Sequence, residues 1–203
     1  VPYGRQDRVC VRGESFSLKA FADIINGLGF ESVTIVDPHS DVTPAVIDRV
    51  QVITQVDIVN KWDLFREHVR TNTILVSPDA GANKKTAALA SYLGHNDFIR
   101  ADKKRNLETG EILETIVYGN DLSRCPAVIC DDLCDGGRTF IELAKALKAK
   151  GAPKVILFVT HAILSKGERP LYDGGIDELW ITDAYNLATS DLKAFRLEQN
   201  FII

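Results

Sequence analysis

The chain has 203 residues, 45% hydrophobic and 26% charged, with a formal net charge of −4. That length and composition suit one large globular domain or two small ones, and the acidic balance speaks against a dedicated nucleic-acid binder, which carries a basic surface. No apolar stretch approaches the roughly 20 residues of a membrane span, and the charged start from Val1 to Arg12, broken by Pro and Gly, holds no secretory signal.

The cysteines Cys10, Cys125, Cys130 and Cys134 lack paired CxxC spacing, which argues against zinc and for free thiols in a reducing cytoplasm. There is no methionine, even at position 1. The opening Val1-Pro2-Tyr3 has the character of a strand end, so a fragment of a longer chain is expected.

Taken in order, the pattern predicts a helix over Ser15 to Leu28, with apolar residues at helical spacing and Gly29 as its stop. A strand follows over Ser32 to Val36, then a short helix from Thr43 to Arg49. Gln51 to Asn60 has two short apolar pieces and no strong helix, which places a domain boundary near Gln55, dividing 1–55 from 56–203. Trp62 to His68 is predicted helical, Ile74 to Ser77 a strand, and Lys84 to Leu93 a helix ended by Gly94. Phe98 to Ala101 is a strand running into a charged segment, Asp102 to Glu114. Ala127 to Cys130 is a strand, Thr139 to Lys150 an amphipathic helix, and Val155 to Thr160, Leu179 to Thr182 and Phe195 to Ile203 are strands. Strands alternating with helices imply an α/β fold whose mainly parallel sheet is covered on both faces.

The most informative run is Val128-Ile129-Cys130-Asp131-Asp132-Leu133-Cys134-Asp135-Gly136-Gly137-Arg138-Thr139. An apolar strand ends at two carboxylates, and a small-residue loop then enters a helix. Open α/β sheets bind ligands at the carboxyl ends of strands. Glycines free backbone N–H groups to curl around an anion, and a helix N-terminus adds partial positive charge. Capping alone accounts for one aspartate, not for Asp131, Asp132 and Asp135 together. Arg5-Gln6-Asp7 could be a solvated turn, but it offers a guanidinium for phosphate and an amide for a base edge. His39, in Asp37-Pro38-His39-Ser40, and Asp79, in Ser77-Pro78-Asp79, each follow a strand. Asp102-Lys103-Lys104-Arg105 could be a solvated charge run, or could close over a polyphosphate.

Together, Pro-Tyr…Arg-Gln-Asp, Asp-x-His, Ser-Pro-Asp-x-Gly, Asp-Lys-x-Arg and Asp-Asp-x-x-Asp resemble, in order and over almost the whole chain, the ribose-phosphate pyrophosphokinase (PRPP synthetase) family. Thr160-His161-Ala162-Ile163-Leu164-Ser165 is similar to that family's Thr-His-Gly-Ile-Phe-Ser. The resemblance implies two type I phosphoribosyltransferase-like domains, the first incomplete, and a homo-oligomer, dimer or hexamer. It implies transfer of the β,γ-diphosphate of ATP to the 1-hydroxyl of ribose 5-phosphate, with Mg²⁺. Arg5, Gln6, Asp7 and His39 would then bind ATP, and His39 and Asp79 would hold the metal. Lys103 and Arg105 would be catalytic, Asp131 and Asp132 would take the ribose hydroxyls, and Asp135, Gly136, Gly137, Arg138 and Thr139 the 5-phosphate. By the same resemblance, segments before Val1 and after Ile203 are absent, and this piece alone is expected to be weakly active or inactive.

Arg138 departs from the family, which has a compact residue, commonly Gly, at that position. A larger acceptor such as ADP-ribose is therefore an alternative to ribose 5-phosphate. A PRPP-consuming phosphoribosyltransferase would leave Arg5-Gln6-Asp7 and Asp37-x-His39 without a task. A non-catalytic synthetase-associated subunit would be expected to lose Lys103 and Arg105, which are present.

Overall fold

The computed structural model describes residues 1–70, 72–105, 112–119, 121–183 and 193–201; within its strands and helices the side chains at 104, 105, 112, 113, 198 and 199 are not described. The chain forms two compact units that divide between Ile58 and Val59.

The first unit opens with turns, not with the strand end expected at Val1-Pro2-Tyr3. Gly4 N–H donates to the Val1 carbonyl at 3.1 Å and Gln6 N–H to the Tyr3 carbonyl at 2.8 Å. Tyr3 has a left-handed φ of +59°, outside the β region. Helix α1 (Ser17–Gly27) buries Leu18 and Ala22. Strands β1 (Val33–Val36) and β2 (Val50–Ile53) pair in parallel, from Val33↔Val50 to Val36↔Ile53, with α2 (Val42–Val46) between them. Ala22, Ile35 and Ile47 form the small core.

Helix α3 (Gln55–Lys61) corrects the expectation of no strong helix before Asn60. Its start is a reciprocal cap. Asp57 accepts from Thr54 N–H at 2.8 Å and from the Thr54 hydroxyl at 2.7 Å, and Asp57 N–H returns a bond to Thr54 Oγ1 at 3.2 Å. The Thr-x-x-Asp spacing is the local signal for it.

The second unit continues with α4 (Asp63–Arg70), β3 (Ile74–Ser77), a 3₁₀ turn (Ala80–Ala82), α5 (Asn83–Leu93), β4 (Ile99–Arg105), β5 (Ile112–Val117) and β6 (Ala127–Cys134). It ends with α6 (Arg138–Ala149), β7 (Val155–Ala162), α7 (Arg169–Asp173), β8 (Glu178–Thr182), β9 (Lys193–Phe195) and α8 (Leu197–Asn200). Seven strands lie in the order β5-β4-β3-β6-β7-β8-β9. All pairs are parallel except β4 with β5.

The apolar runs of β6 and β7 are buried on both faces, as a covered parallel sheet requires. Alternate β7 residues serve opposite cores. Val155, Leu157 and Val159 pack with Phe140, Leu143, Ala144 and Leu147 of α6. Phe158 meets Phe65 of α4, with ring centroids 4.7 Å apart, in a cluster with Trp62, Trp180 and Phe195. Each fully buried ring there is worth on the order of 2–3 kcal/mol. The four cysteines form no disulfide. Among the described residues, no helix is long and apolar enough to cross a membrane.

Two expectations fail at the sheet edges. The charged segment Asp102 to Glu114 is not expected to hold strands, yet its described parts do: β4 and β5 pair antiparallel from Ala101↔Val117 to Arg105↔Ile112, and residues 106–111 lie outside those described. The strand expected over Phe195 to Ile203 is not found in its described part, because β9 stops at Phe195 and α8 follows, while residues 202 and 203 lie outside those described. Leu197 N–H donates to the Asp183 carboxylate at 2.7 Å, so a residue far back in the chain starts that helix.

Glu178 ties the β8 end of the sheet together. It accepts from Lys154 Nζ, from Trp180 Nε1 at 2.8 Å and from Lys193 Nζ at 3.1 Å. Burial pushes its carboxyl up, but these hydrogen bonds outweigh burial and hold it down to about 2. A depressed carboxylate contributes stability above its ordinary value, 4.5 here, that is lost as pH falls through the folded value. Urea titrations between these limits therefore show a steep loss of stability in the native chain and a shallower one in Glu178→Gln. Parallel acid limbs would refute this assignment.

Candidate active site

Strand order decides where the site lies. From β3 the chain crosses to β4 on one side; from β6 it crosses to β7 on the other. β3 and β6 are neighbours, so the connections diverge between them and open a crevice beyond their carboxyl ends. Asp79 stands just past β3, and Asp131 and Asp132 lie near the end of β6.

Asp79 is in an extended conformation and its Oδ1 caps the following turn, accepting from Gly81 N–H at 3.1 Å and Ala82 N–H at 3.2 Å. Its Oδ2 accepts from Lys103 Nζ at 2.8 Å. Lys103 reaches it because β4 continues past the last β3 pair, Ser77↔Arg100, and its side chain is only 9% exposed. Burial raises the Asp79 carboxyl, but the Lys103 hydrogen bond and charge and the two backbone donors bring it below the usual carboxylate range. Arg105 lies in β4, and its side chain is outside the described residues.

Asp131 and Asp132 do not follow β6, as their position after the apolar run suggests; they lie within it. The strand continues to Cys134 because β7 supplies partners, pairing Asp131↔Val159, Leu133↔His161 and Cys134↔Ala162. Asp132 N–H donates to the Asp131 carboxylate at 2.9 Å. Burial, then the charge of Asp132 and a side-chain hydrogen bond with it, with a further contribution from Asp79, outweigh that N–H bond, which favours the charged form, and push the Asp131 carboxyl well above its ordinary range. Three carboxylates therefore share one field with Lys103. The neighbouring Cys134 thiol, raised to about 12 by burial and by Asp131 and Asp135, is no nucleophile.

The loop Asp135-Gly136-Gly137 enters α6, which starts at Arg138, one residue before the expected Thr139. No side chain caps this helix, so the aspartates are not its caps. Gly137 has φ +74°, and a Cβ there would lie 2.8 Å from Leu171 Cδ2; both backbone conformation and space demand glycine. The exposed Asp135 and Arg138 flank the glycine pair.

In the first unit, Arg5 and Gln6 are exposed and Asp7 is buried. A hydrogen bond with Ser40 pulls the Asp7 carboxyl down, with Arg8 at 3.1 Å adding to it. The bond joins the Arg5–Arg8 turn to the loop carrying the exposed His39. That loop starts at Asp37, buried with φ +39°, a strained position of the kind that gathers at functional sites. Asp7 thus braces the loops, with Arg5, Gln6 and His39 facing solvent. Ser40 was missed by motif reading, although it stands in the Asp37-Pro38-His39-Ser40 segment.

Residues 113–199 match the phosphoribosyl synthetase-associated domain. A ribose-phosphate pyrophosphokinase of Marinomonas sp. (strain MWYL1) is 32% identical over 97% of this chain and 62% of its own length. The chain belongs to the ribose-phosphate pyrophosphokinase family. A second member, from Aquifex aeolicus (strain VF5), is 33% identical over 80% of the chain and 51% of its own length. The chain thus spans about 60% or less of these curated pyrophosphokinases. The crystal structure of phosphoribosylpyrophosphate synthetase from Mycobacterium smegmatis overlays 98% of the chain and 65% of itself, with a TM-score of 0.82 at 24% identity. That overlay establishes a shared fold of two phosphoribosyltransferase-type domains with mostly parallel sheets.

Among the described residues, no group of three or more His, Cys, Asp or Glu side chains converges as a ready metal cage. Mg²⁺ does not require such a cage, since it typically takes one or two carboxylates plus substrate phosphates and water. The donor chemistry of Asp79, Asp131 and Asp132 suits it: hard oxygens in a field negative enough to raise Asp131.

Proposed function

We propose that this pyrophosphokinase-family chain transfers the β,γ-diphosphate of ATP to the 1-hydroxyl of ribose 5-phosphate, forming PRPP and AMP. The observation that carries the reading is the meeting of Asp79, Lys103, Asp131 and Asp132 at the crevice between β3 and β6, beside the uncapped start of α6.

Such a transfer needs positioning and charge neutralisation, not a covalent nucleophile. Asp131 and Asp132 bind the ribose hydroxyls and aim the 1-hydroxyl. Asp135, Gly136, Gly137, Arg138 and Thr139 cradle the 5-phosphate at the start of α6. Lys103, buried and already charge-paired, neutralises charge growing on the transferring diphosphoryl group, and Arg105 acts with it. Arg5, Gln6 and His39 contact ATP, and Asp7 braces the loops that carry them. Asp79 would hold Mg²⁺, and Asp131 and Asp132 would reach a second ion. When bound, the metal would screen the polyphosphate charge and favour the departure of AMP. Assembly as a homo-oligomer, dimer or hexamer, belongs to the same proposal.

The complete protein, given ATP, Mg²⁺ and ribose 5-phosphate, is expected to form AMP and PRPP in equal amounts, with little AMP when ADP-ribose replaces ribose 5-phosphate. A preference for ADP-ribose would reassign the acceptor. AMP with neither would remove the synthetase reading, and pyrophosphate release from PRPP plus a base would make the protein a transferase.

A further inference from the structure

Lys166 belongs to none of the motifs above, yet the backbone holds it against the glycine loop. Immediately past the last β6–β7 pair, Cys134↔Ala162, the N–H groups of Ile163 and Leu164 both donate to the Cys134 carbonyl, at 2.8 and 3.2 Å. Leu164 takes a left-handed φ of +49°, and Gly167 N–H closes the turn onto the Leu164 carbonyl at 2.7 Å. The turn bearing Ser165 and Lys166 is therefore tied to the residue directly before Asp135. A Cβ on Gly136 would lie 3.8 Å from Lys166 Cε and meet nothing else within 4 Å. The protein leaves room for a side chain at Gly136, so glycine keeps the space beneath Lys166 clear.

Charge gives that space an occupant. Lys103, Lys145, Lys148, Lys154, Arg169 and Lys193 all pair with carboxylates. Among the described residues, the exposed Lys166 and Arg138 have no such pairing. A phosphomonoester carries a charge of about −1.5 to −2 near neutral pH. The start of α6 offers about half a positive charge and Arg138 one more, while Asp131, Asp132 and Asp135 oppose the anion. A second cation closes the difference, and lysine suits phosphate as a mobile point charge. We infer that Lys166 is a further binding residue for the acceptor, acting with Arg138 to neutralise a phosphomonoester dianion over Gly136 and Gly137. This rests on the acceptor reading above.

Calorimetric titration of the intact chain with ribose 5-phosphate tests it, with circular dichroism as the check on folding. Lys166→Ala is expected to bind about tenfold more weakly, as for loss of one charge-assisted contact, and Lys166→Arg to recover most of the affinity. The native chain should lose affinity with added KCl more steeply than Lys166→Ala. ADP-ribose, whose 5-phosphate is tied up in a phosphoanhydride and carries a single negative charge, should bind less tightly than ribose 5-phosphate. Equal binding by Lys166→Ala and the native chain would overturn the inference and leave the proposed function standing. Tighter binding of ADP-ribose would overturn the monoester assignment. No binding of ribose 5-phosphate by the folded native chain would overturn both.

Discussion

Lys103→Ala in the complete protein is expected to lower kcat for AMP formation by about 10²–10³-fold, the usual loss when one preorganised charge at a developing anion is removed. KM for ribose 5-phosphate should change little, because Lys103 lies against Asp79 and not against the glycine loop. The same substitution has a second signature in the ligand-free chain. The Asp79 carboxyl lies below its ordinary value of 3.8; burial raises it, and the Lys103 hydrogen bond and charge help to outweigh burial. The stability it contributes is present above that ordinary value and lost as pH falls through the folded one. Without Lys103 that contribution shrinks, so the acid limb of the stability curve should be shallower. Lys103→Arg should restore much of the acid limb but not the full rate, since a planar guanidinium does not reproduce a compact ammonium. Unchanged AMP formation in Lys103→Ala would remove the residue from the chemistry.

Asp131→Asn is expected to separate stability from function. Burial and the charge of Asp132 raise the folded pKa of Asp131 above the ordinary 3.8. Between those values the folded state holds a proton that the unfolded state has lost, so stability falls as pH rises through the window. Asparagine cannot ionise. The variant should therefore melt about 2–4 °C higher than the native chain at neutral pH without ligands, equivalent to roughly 1 kcal/mol. It should also turn over about 100-fold more slowly, with a carboxylate that orients the ribose removed. Added Mg²⁺ should raise the native melting temperature more than that of Asp131→Asn. A variant that melts lower, or that gains as much from Mg²⁺ as the native chain, would show that the repulsion ascribed to Asp131 is not there.

How much of this was legible in the sequence differs from element to element. The strand Ile74–Ser77 was readable to the residue, because an apolar run between polar turns has one local explanation. Helix α6 was off by one residue at its start, since Gly137 and not Arg138 ends the loop. Helix α3 went unread although its Thr-x-x-Asp cap is local. The start of β4 was readable in Phe98 to Ala101, but its continuation to Arg105 and strand β5 were hidden for a physical reason: charged residues argue for solvent, and the pairing of Lys103 with Asp79 accommodates a lysine side chain at 9% exposure. Ser40 and Lys166 carry no local signal, because each acts through a neighbour far away in sequence.

The order of the ligand-bearing motifs, the alternation of strand and helix, and the family all follow from residue types and spacing, which are local and survive in one dimension. Three things needed the folded chain. The first is the divergence of the chain between β3 and β6, which opens the crevice that the candidate site occupies. The second is the meeting of Asp79, Lys103 and Asp131 across three strands, which sets their charges. The third is the hold of the Cys134 carbonyl on the turn that delivers Lys166 to Gly136. Each depends on which strands become neighbours, and strand neighbours are chosen by burial and backbone pairing summed over the whole sheet.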